Sequence, residues 1–412
     1  MIRFEHQTLR VGHTYYGVEF TESFRRILET HYGNGVKYFN LIHKGVKFNE
    51  YVGVLQIGDL IIEVLPKAEK DENEEKWRKI LIGMLKAVGV FNVKAPSSSS
   101  LNIKSNFILD FYFELFIREV EYLLKKGLIK KYRPTEENSF ALKGNILFGK
   151  HIQQNIVHKE RFYIRHSKYD NIHLLHQILH ETLLLLKRIN SNAFLSSRIG
   201  SLLLNFPEVK RLKISAATFD KIHLNQKTEG YNNALEISRL LLLNYHPDLT
   251  TGHNDVLALM FDMNVLWERF VYVSMRKQKP EGLSVKAQQS KYFWESMQGK
   301  KSRMKPDILV SCGKDNLAVL DTKWKNMEAK NPSLDDLRQL YVYHEYYETP
   351  KAALVYPGTE TVNTGSYFNS NGERSGKECS IISIEVDSTI TAWQKKIGKQ
   401  IFDDWLNEES LT

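Results

Sequence analysis

The residues of this chain best suited to chemistry gather between Pro306 and Lys323. Asp307 opens one apolar run, Ile308-Leu309-Val310, and Asp321-Thr322-Lys323 closes another, Leu317-Ala318-Val319-Leu320. Gly313-Lys314-Asp315-Asn316 between them carries turn residues, so the two runs form a hairpin. Alternate residues of a strand share a face. Residues 321 and 323 therefore project together, and the hairpin brings Asp307 alongside them. Two carboxylates and one ammonium converge at the edge of a small sheet. Such a pair of carboxylates suits Mg²⁺, or Mn²⁺ in its stead, because Mg²⁺ keeps several waters and dehydrates reluctantly. The ion would polarise a scissile phosphate and lower the pKa of a bound water. The lysine would position the nucleophile or neutralise developing charge. The competing reading is a surface hairpin with an Asp–Lys pair, which is common and worth little.

Neighbouring segments add to this set. Glu268, in Leu266-Trp267-Glu268-Arg269-Phe270, has apolar residues on both sides and is placed to complete a metal shell; otherwise it is a surface Glu paired with Arg269 or Lys277. Gln339 and Tyr343 lie one helical turn apart in the segment that follows and could orient substrate, or form an ordinary amphipathic turn. Lys300, Lys301, Arg303 and Lys305 precede Asp307 and are candidates for holding a DNA backbone through phosphate contacts; a solvated basic loop is the alternative.

The elements that must position these residues follow from periodicity. Strands are expected at Phe39–His43 and, as a hairpin around Gly58-Asp59, at Val52–Ile57 and Leu60–Leu65. Helical spacing covers Trp77–Val88, with Gly89 as its stop, and Phe107–Leu128, whose apolar set is wide enough for two buried contacts. Further helices are expected at His173–Ile189, Leu235–Leu243, Val256–Arg276 and Ser333–Tyr347, with Ser333 as N-cap. Strands are expected at Ala352–Pro357 and Ser380–Val386. Glu69–Glu75 and Tyr132–Asn138 read as polar loops, and Ser97–Ser100 as a hinge.

Two other motifs invite chemistry. Gly144-Asn145-Ile146-Leu147-Phe148-Gly149-Lys150-His151 has the spacing of a phosphate-binding loop, but His151 replaces the magnesium-binding Ser or Thr, and its apolar interior favours a packed turn. His173, His176 and His180 share a helix face and could bind zinc, yet lack a recognisable further ligand, which favours a packing or solvated face.

Composition bounds the class. The 412 residues are 42% hydrophobic and 25% charged, which is globular usage and excludes disorder or collagen. A net charge of +9 fits a polyanionic partner without naming one. Cys312 and Cys379 are the only cysteines, too few for a disulfide scaffold or an unaided tetrahedral zinc site. No apolar signal or membrane-length stretch is seen, so a cytoplasmic protein with no membrane partner is the expectation.

The order helix, strand, hairpin, strand, helix, strand around Pro306-Asp307 and Asp321-Thr322-Lys323 resembles the PD-(D/E)XK nuclease core. Gln339 with Tyr343 resembles the Q-x-x-x-Y signature of its RecB-like branch. A longer ordered series resembles the McrC family: Gly53 to Lys67, Leu142 to Phe148, Asn155, Arg161-Phe162, Tyr169-Asp170-Asn171, Trp267-Glu268-x-Phe270 and Arg303-x-Lys305-Pro306-Asp307. His173 and His176 depart from the family pattern. The resemblance implies an α+β multidomain chain: a β-rich N-terminal docking region over residues 1–105, a mostly helical middle over 106–250, and a C-terminal α/β PD-(D/E)XK endonuclease domain over 251–412, a mixed sheet flanked by helices. It implies the nuclease subunit of a modification-dependent restriction system in anti-phage defence. The partners would be an McrB-like AAA+ GTPase hexamer, which binds the GTP, and double-stranded DNA with modified cytosine. Metal would sit on Asp307, Asp321 and Glu268, with Lys323 assisting water and Gln339 and Tyr343 placing substrate. The Phe107–Leu128 helix and Arg133–Asn138 would be candidates for a projection into the hexamer pore. A non-enzymatic regulator of the same partner, and a RecB-like repair nuclease, are the alternatives.

Overall fold

The computed structural model describes residues 1–33, 35–68, 73–89, 108–246, 255–325 and 332–406. The expected hinge Ser97–Ser100 and part of the acidic loop, 69–72, lie outside them. The described chain forms two compact units, one built from residues 1–94 and 258–412 and the other from residues 95–257. The expectation kept 1–105 apart from 251–412. They join instead, because strands from the two ends of the chain hydrogen-bond in one sheet.

That sheet contains β1 (Ile2–Phe4), β2 (Tyr51–Ile57), β3 (Leu60–Leu65) and β4 (Val256–Asp262), in the order β1-β3-β2-β4. β1 runs parallel to β3, with Ile2 opposite Glu63, β2 and β3 form the expected hairpin, with Ile57 opposite Leu60, and the expected helix α1 (Glu74–Val88) follows. Gly53 explains how β4 approaches β2. Its φ is +140°, and a Cβ there would stand 2.0 Å from the Leu259 carbonyl oxygen. Only glycine meets both demands. β4 also corrects the sequence reading, which ran one helix from Val256. The Val-Leu-Ala-Leu-Met-Phe start is apolar on both faces and so fits helix and buried strand alike. The chain breaks at Asp262, which caps α2 (Met263–Gln278) by accepting from the Asn264 and Val265 amides.

The second sheet of this unit holds β5 (Leu283–Ala287), β8 (Ile308–Cys312), β9 (Asp315–Thr322), β10 (Lys351–Pro357), β11 (Thr361–Phe368) and β12 (Arg374–Ile384). Between β5 and β8 a separate two-stranded ribbon forms from β6 (Lys291–Glu295) and β7 (Lys301–Met304). The larger sheet runs β5-β8-β9-β10-β12-β11 and is mixed: β9, β10 and β12 are mutually parallel, the other pairs antiparallel. α3 (Leu334–Tyr347), capped by Ser333 as expected, covers one face, where Leu309, Val319, Leu354, Tyr356, Leu340 and Tyr347 form a buried cluster. The edge strand β11 was not foreseen, because its residues are mostly exposed and polar.

An aromatic knot ties the ends together. Trp267 stacks on Trp393 at 5.3 Å between ring centroids and meets Trp324 edge-on at 5.5 Å. Trp324 Nε1 donates to Glu5 Oε1 at 2.7 Å, 319 residues away in sequence. Such ring pairs add about 0.5–1.5 kcal/mol each beyond the area they bury.

In the other unit, the helix Ile108–Lys126 is buried over most of its length, with the doubly apolar surface expected of it packed against the helices Ala193–Asn205 and Asn232–Leu243. The expected loop 132–138 is instead a strand, Lys131–Ser139, paired antiparallel with Phe162–Asp170. Its period-2 signal is absent because neither face enters a core. Pro134 is admissible since this is an edge strand with one side unpaired. Asn145-Ile146 forms a short strand on this hairpin and Phe148–Asn155 a short helix, so the loop-like motif is neither a phosphate-binding loop nor the packed turn expected: it is a strand-to-helix junction with Phe148 exposed. His176 lies buried, bonded to the Asn171 carbonyl and Tyr231 hydroxyl, and burial and adjacent His173 push its pKa down to about 4. His180 packs on Phe206. Among the described residues, the three histidines are packing elements.

Candidate active site

The hairpin register builds the site. Ile308 pairs with Leu320 and Leu309 with Val319. One step further, Asp307 faces Asp321. By the strand period, 307 and 309 share a face with 319, 321 and 323, and that face lies under α3. Leu309 and Val319 are buried there, while the charged residues emerge where the strands end.

Asp307 is fixed from across the hairpin. Its Oδ2 accepts from the Thr322 amide at 2.7 Å and the Thr322 hydroxyl at 2.8 Å. Asp321 is almost fully buried, with Oδ2 2.7 Å from Lys323 Nζ. Burial first, and Asp307 second, push the Asp321 pKa up to about 6. Burial works against the Lys323 ammonium, but Asp321 and Asp336 hold its pKa above the usual lysine value. Asp336, on the first turn of α3, lies 3.7 Å from Lys323 Nζ.

Gln339 and Tyr343 meet as their spacing predicts. Gln339 Nε2 donates to the Tyr343 hydroxyl at 2.8 Å and reaches Asp321 Oδ1 at 3.4 Å; the Tyr343 hydroxyl donates to the Lys305 carbonyl at 3.2 Å. Burial pushes the Tyr343 pKa up to about 12, so it stays a donor at neutral pH. Glu268 comes from α2. Its Oε1 accepts from Gln288 Nε2 at 2.6 Å, and burial and Asp307 raise its pKa. Lys305 Nζ donates to Gln288 Oε1 at 3.0 Å.

Glu268, Lys305, Asp307, Asp321, Lys323 and Gln339 line one pocket of about 250 Å³, with Asn264, Val265 and Thr322. Tyr343 stands behind its wall. Lys300, Lys301 and Arg303 do not line it; they lie on or beside the exposed β6–β7 ribbon. Gln288, which bridges Glu268 and Lys305 from a left-handed backbone position (φ 50°), gave no sequence signal. Asp336, an acidic residue of the first turn of α3, likewise gives no sequence signal of its place beside Lys323.

The donor set fits a hard divalent cation. Asp321, raised by burial and then by the opposed Asp307, is a carboxylate whose charged form a cation would favour. Among the described residues no three of His, Cys, Asp and Glu converge closely enough to hold an ion unaided. Asp307 and Asp321 would therefore share it with water and substrate oxygens, as Mg²⁺ prefers.

The family model for the McrBC 5-methylcytosine restriction system component matches residues 46–357. No curated protein matches the chain. Among solved structures, a chain from the assembly of Thermococcus gammatolerans McrB AAA+ hexamers with bound McrC is similar to it, with a TM-score of 0.76, 17% identity, and coverage of 98% of this chain and 99% of that one. A chain from the cryo-EM structure of the Thermococcus gammatolerans McrBC complex is similar with a TM-score of 0.52 and 15% identity, covering 68% of this chain and 88% of that one. At these identities the likeness is one of fold.

Proposed function

We propose, from the premise that this chain belongs to the McrBC 5-methylcytosine restriction system component family, that it is the McrC-like nuclease subunit and hydrolyses DNA phosphodiesters at the Asp307–Asp321–Lys323 pocket. The observation carrying this is that one pocket gathers Glu268, Asp307, Asp321, Lys323 and Gln339 from two strands and two helices. A bound Mg²⁺ would supply Lewis-acid polarisation of the phosphate. Asp307 and Asp321 would hold it, with Glu268 supporting its water shell. The Lys323 ammonium would orient the attacking water and stabilise developing negative charge. Gln339 would steady Asp321, and Tyr343 would hold Gln339 in place.

The partner would be an McrB-like AAA+ GTPase, with GTP bound there. The antiparallel hairpin of the 95–257 unit suits that contact better than the helix Ile108–Lys126, which is occupied by its own neighbours. Phe148, Ile152 and Ile156 recur at helical spacing and are all exposed, as are Phe140 and Val157.

The test mixes the purified chain and its AAA+ partner with cytosine-methylated DNA, GTP and Mg²⁺. Wild type should cut. Asp321→Ala should bind and stimulate GTP hydrolysis but not cut, and Lys323→Met should cut roughly 10²–10³-fold more slowly. Equal cutting by Asp321→Ala would remove the site assignment. Unchanged partner GTPase on adding the chain would remove the partner assignment.

A further inference from the structure

The β6–β7 ribbon has no part in the proposed chemistry, yet it is an unusual surface. Tyr292, Phe293 and Trp294 stand consecutively on β6, and every residue of that strand is exposed. Met297 at the tip is fully exposed. Residues 291–305 hold Lys291, Lys300, Lys301, Arg303 and Lys305 against one acid, Glu295, a local excess of 5 − 1 = +4 within a chain of +9. A large exposed apolar surface without a role is uncommon, and one interleaved with cations matches a nucleic acid better than an apolar protein face.

The ribbon is braced. At the tip the Ser296 amide donates to the Lys300 carbonyl at 2.9 Å, the Gly299 amide to the Ser296 carbonyl at 2.9 Å, and the Lys300 amide to Ser296 Oγ at 3.0 Å. Gly299 takes the left-handed conformation, φ +80°, that this turn needs. Arg303 lies over the Tyr292 ring at 4.5 Å and donates to its hydroxyl at 2.7 Å. The base is clamped to α3: Lys291 Nζ donates to the Tyr346 carbonyl, Phe293 packs edge-on against Tyr346, and the Tyr347 hydroxyl donates to the Gln289 carbonyl at 2.5 Å. β7 then runs through Lys305 to Asp307. Asp307 lies six positions beyond Lys301, at most roughly 20 Å of extended chain, about the rise of six base pairs.

We propose that the β6–β7 ribbon is a sequence-neutral DNA wedge, its cations on the phosphates and Trp294 and Met297 pressed into the minor groove beside the scissile bond. This inference rests on the nuclease reading. Apolar side chains inserted from the minor groove unstack a base step and bend the duplex. Here that would turn the scissile strand toward the pocket. Sequence or base-modification choice is then left to another component, because the minor groove presents only a degenerate A·T-versus-G·C pattern.

The experiment uses the full chain with its partner, Ca²⁺ in place of Mg²⁺, and a methylated duplex carrying 2-aminopurine to report unstacking. Wild type should raise 2-aminopurine fluorescence. Trp294→Ala with Met297→Ala should abolish that rise and weaken binding about tenfold, with the salt slope and partner GTPase unchanged and unfolding temperature retained. Trp294→Phe should restore part of the signal. Lys300→Ala with Lys301→Ala should instead reduce the salt slope by about 2. Wild-type binding and fluorescence in the tip variant would overturn the wedge. So would loss of GTPase stimulation with DNA binding intact, which would make the ribbon a protein contact. If wild type never cuts in Mg²⁺ but the tip variant still loses the fluorescence rise, the nuclease reading fails and the wedge stands.

Discussion

Single residues in this chain owe their chemistry to what stands opposite them. Asp307 and Asp321 were legible in the sequence because a strand's side-chain period and one turn suffice to pair them. Gln288 was not, because its place depends on a φ of 50° after β5, and no residue pattern announces that. Glu5 was equally hidden. It accepts from the Lys67 amide and from Trp324, and burial pushes its pKa up to about 7 from 4.5 despite those bonds. The folded state therefore holds its proton more tightly than the unfolded state. Its contribution to stability is full below about pH 4.5 and is lost as pH rises through 7. Glu5→Gln, which cannot ionise, should match wild type at low pH and exceed it by on the order of 3 kcal/mol above pH 7. Urea midpoints of the two proteins across pH 4–8 test this; a constant difference would show that Glu5 does not titrate in that window.

At the level of elements, apolar periodicity found many of the strands and helices that have a buried side, but not the helix Ala193–Asn205, whose Leu195, Ile199 and Leu202 are buried. The hairpin Val52–Leu65, the helix ending at Gly89, the helix expected at Phe107–Leu128 and found at Ile108–Lys126, and Ser333 as a cap all stand where the residues indicated. Elements with no buried face escaped: the strand Lys131–Ser139, the edge strand β11, and the ribbon β6–β7. β4 failed differently, since burial on both faces erases the period that separates strand from helix. Its pairing makes a sharp prediction at Gly53. Gly53→Ala adds a methyl into the Leu259 carbonyl and demands a φ that alanine resists, so it should cost about 2–4 kcal/mol. Gly83→Ala should cost less, because its obstacle is the movable side chain of Ile390. Comparing the two by thermal unfolding separates backbone from side-chain obstruction; equal losses would refute the close-approach argument.

For the whole molecule, composition set the size and a modest positive charge, and the ribbon now accounts for a concentrated part of that charge. The division of the chain was not legible, since nothing local in residues 1–94 shows that their sheet is finished by residues beyond 257. Co-expressed fragments 1–94 and 258–412 should purify together as a folded complex, held by β2–β4 pairing and the Glu5–Trp324 bond. Each alone should be poorly soluble, and if either fragment folds by itself to a cooperative unfolding transition, the joint unit is two domains after all.

The Glu5–Trp324 bond also sets a clock on synthesis. Its partners leave the ribosome 319 residues apart, which at roughly 5–20 residues per second is about 16–60 s. For most of that interval, until β4 emerges, the N-terminal strands wait with an open sheet edge. The Trp267–Trp324–Trp393 knot behind the pocket closes later still. A nascent chain therefore spends most of its time on the ribosome without a finished Asp307–Asp321–Lys323 pocket, and a product truncated before Lys323 never acquires one.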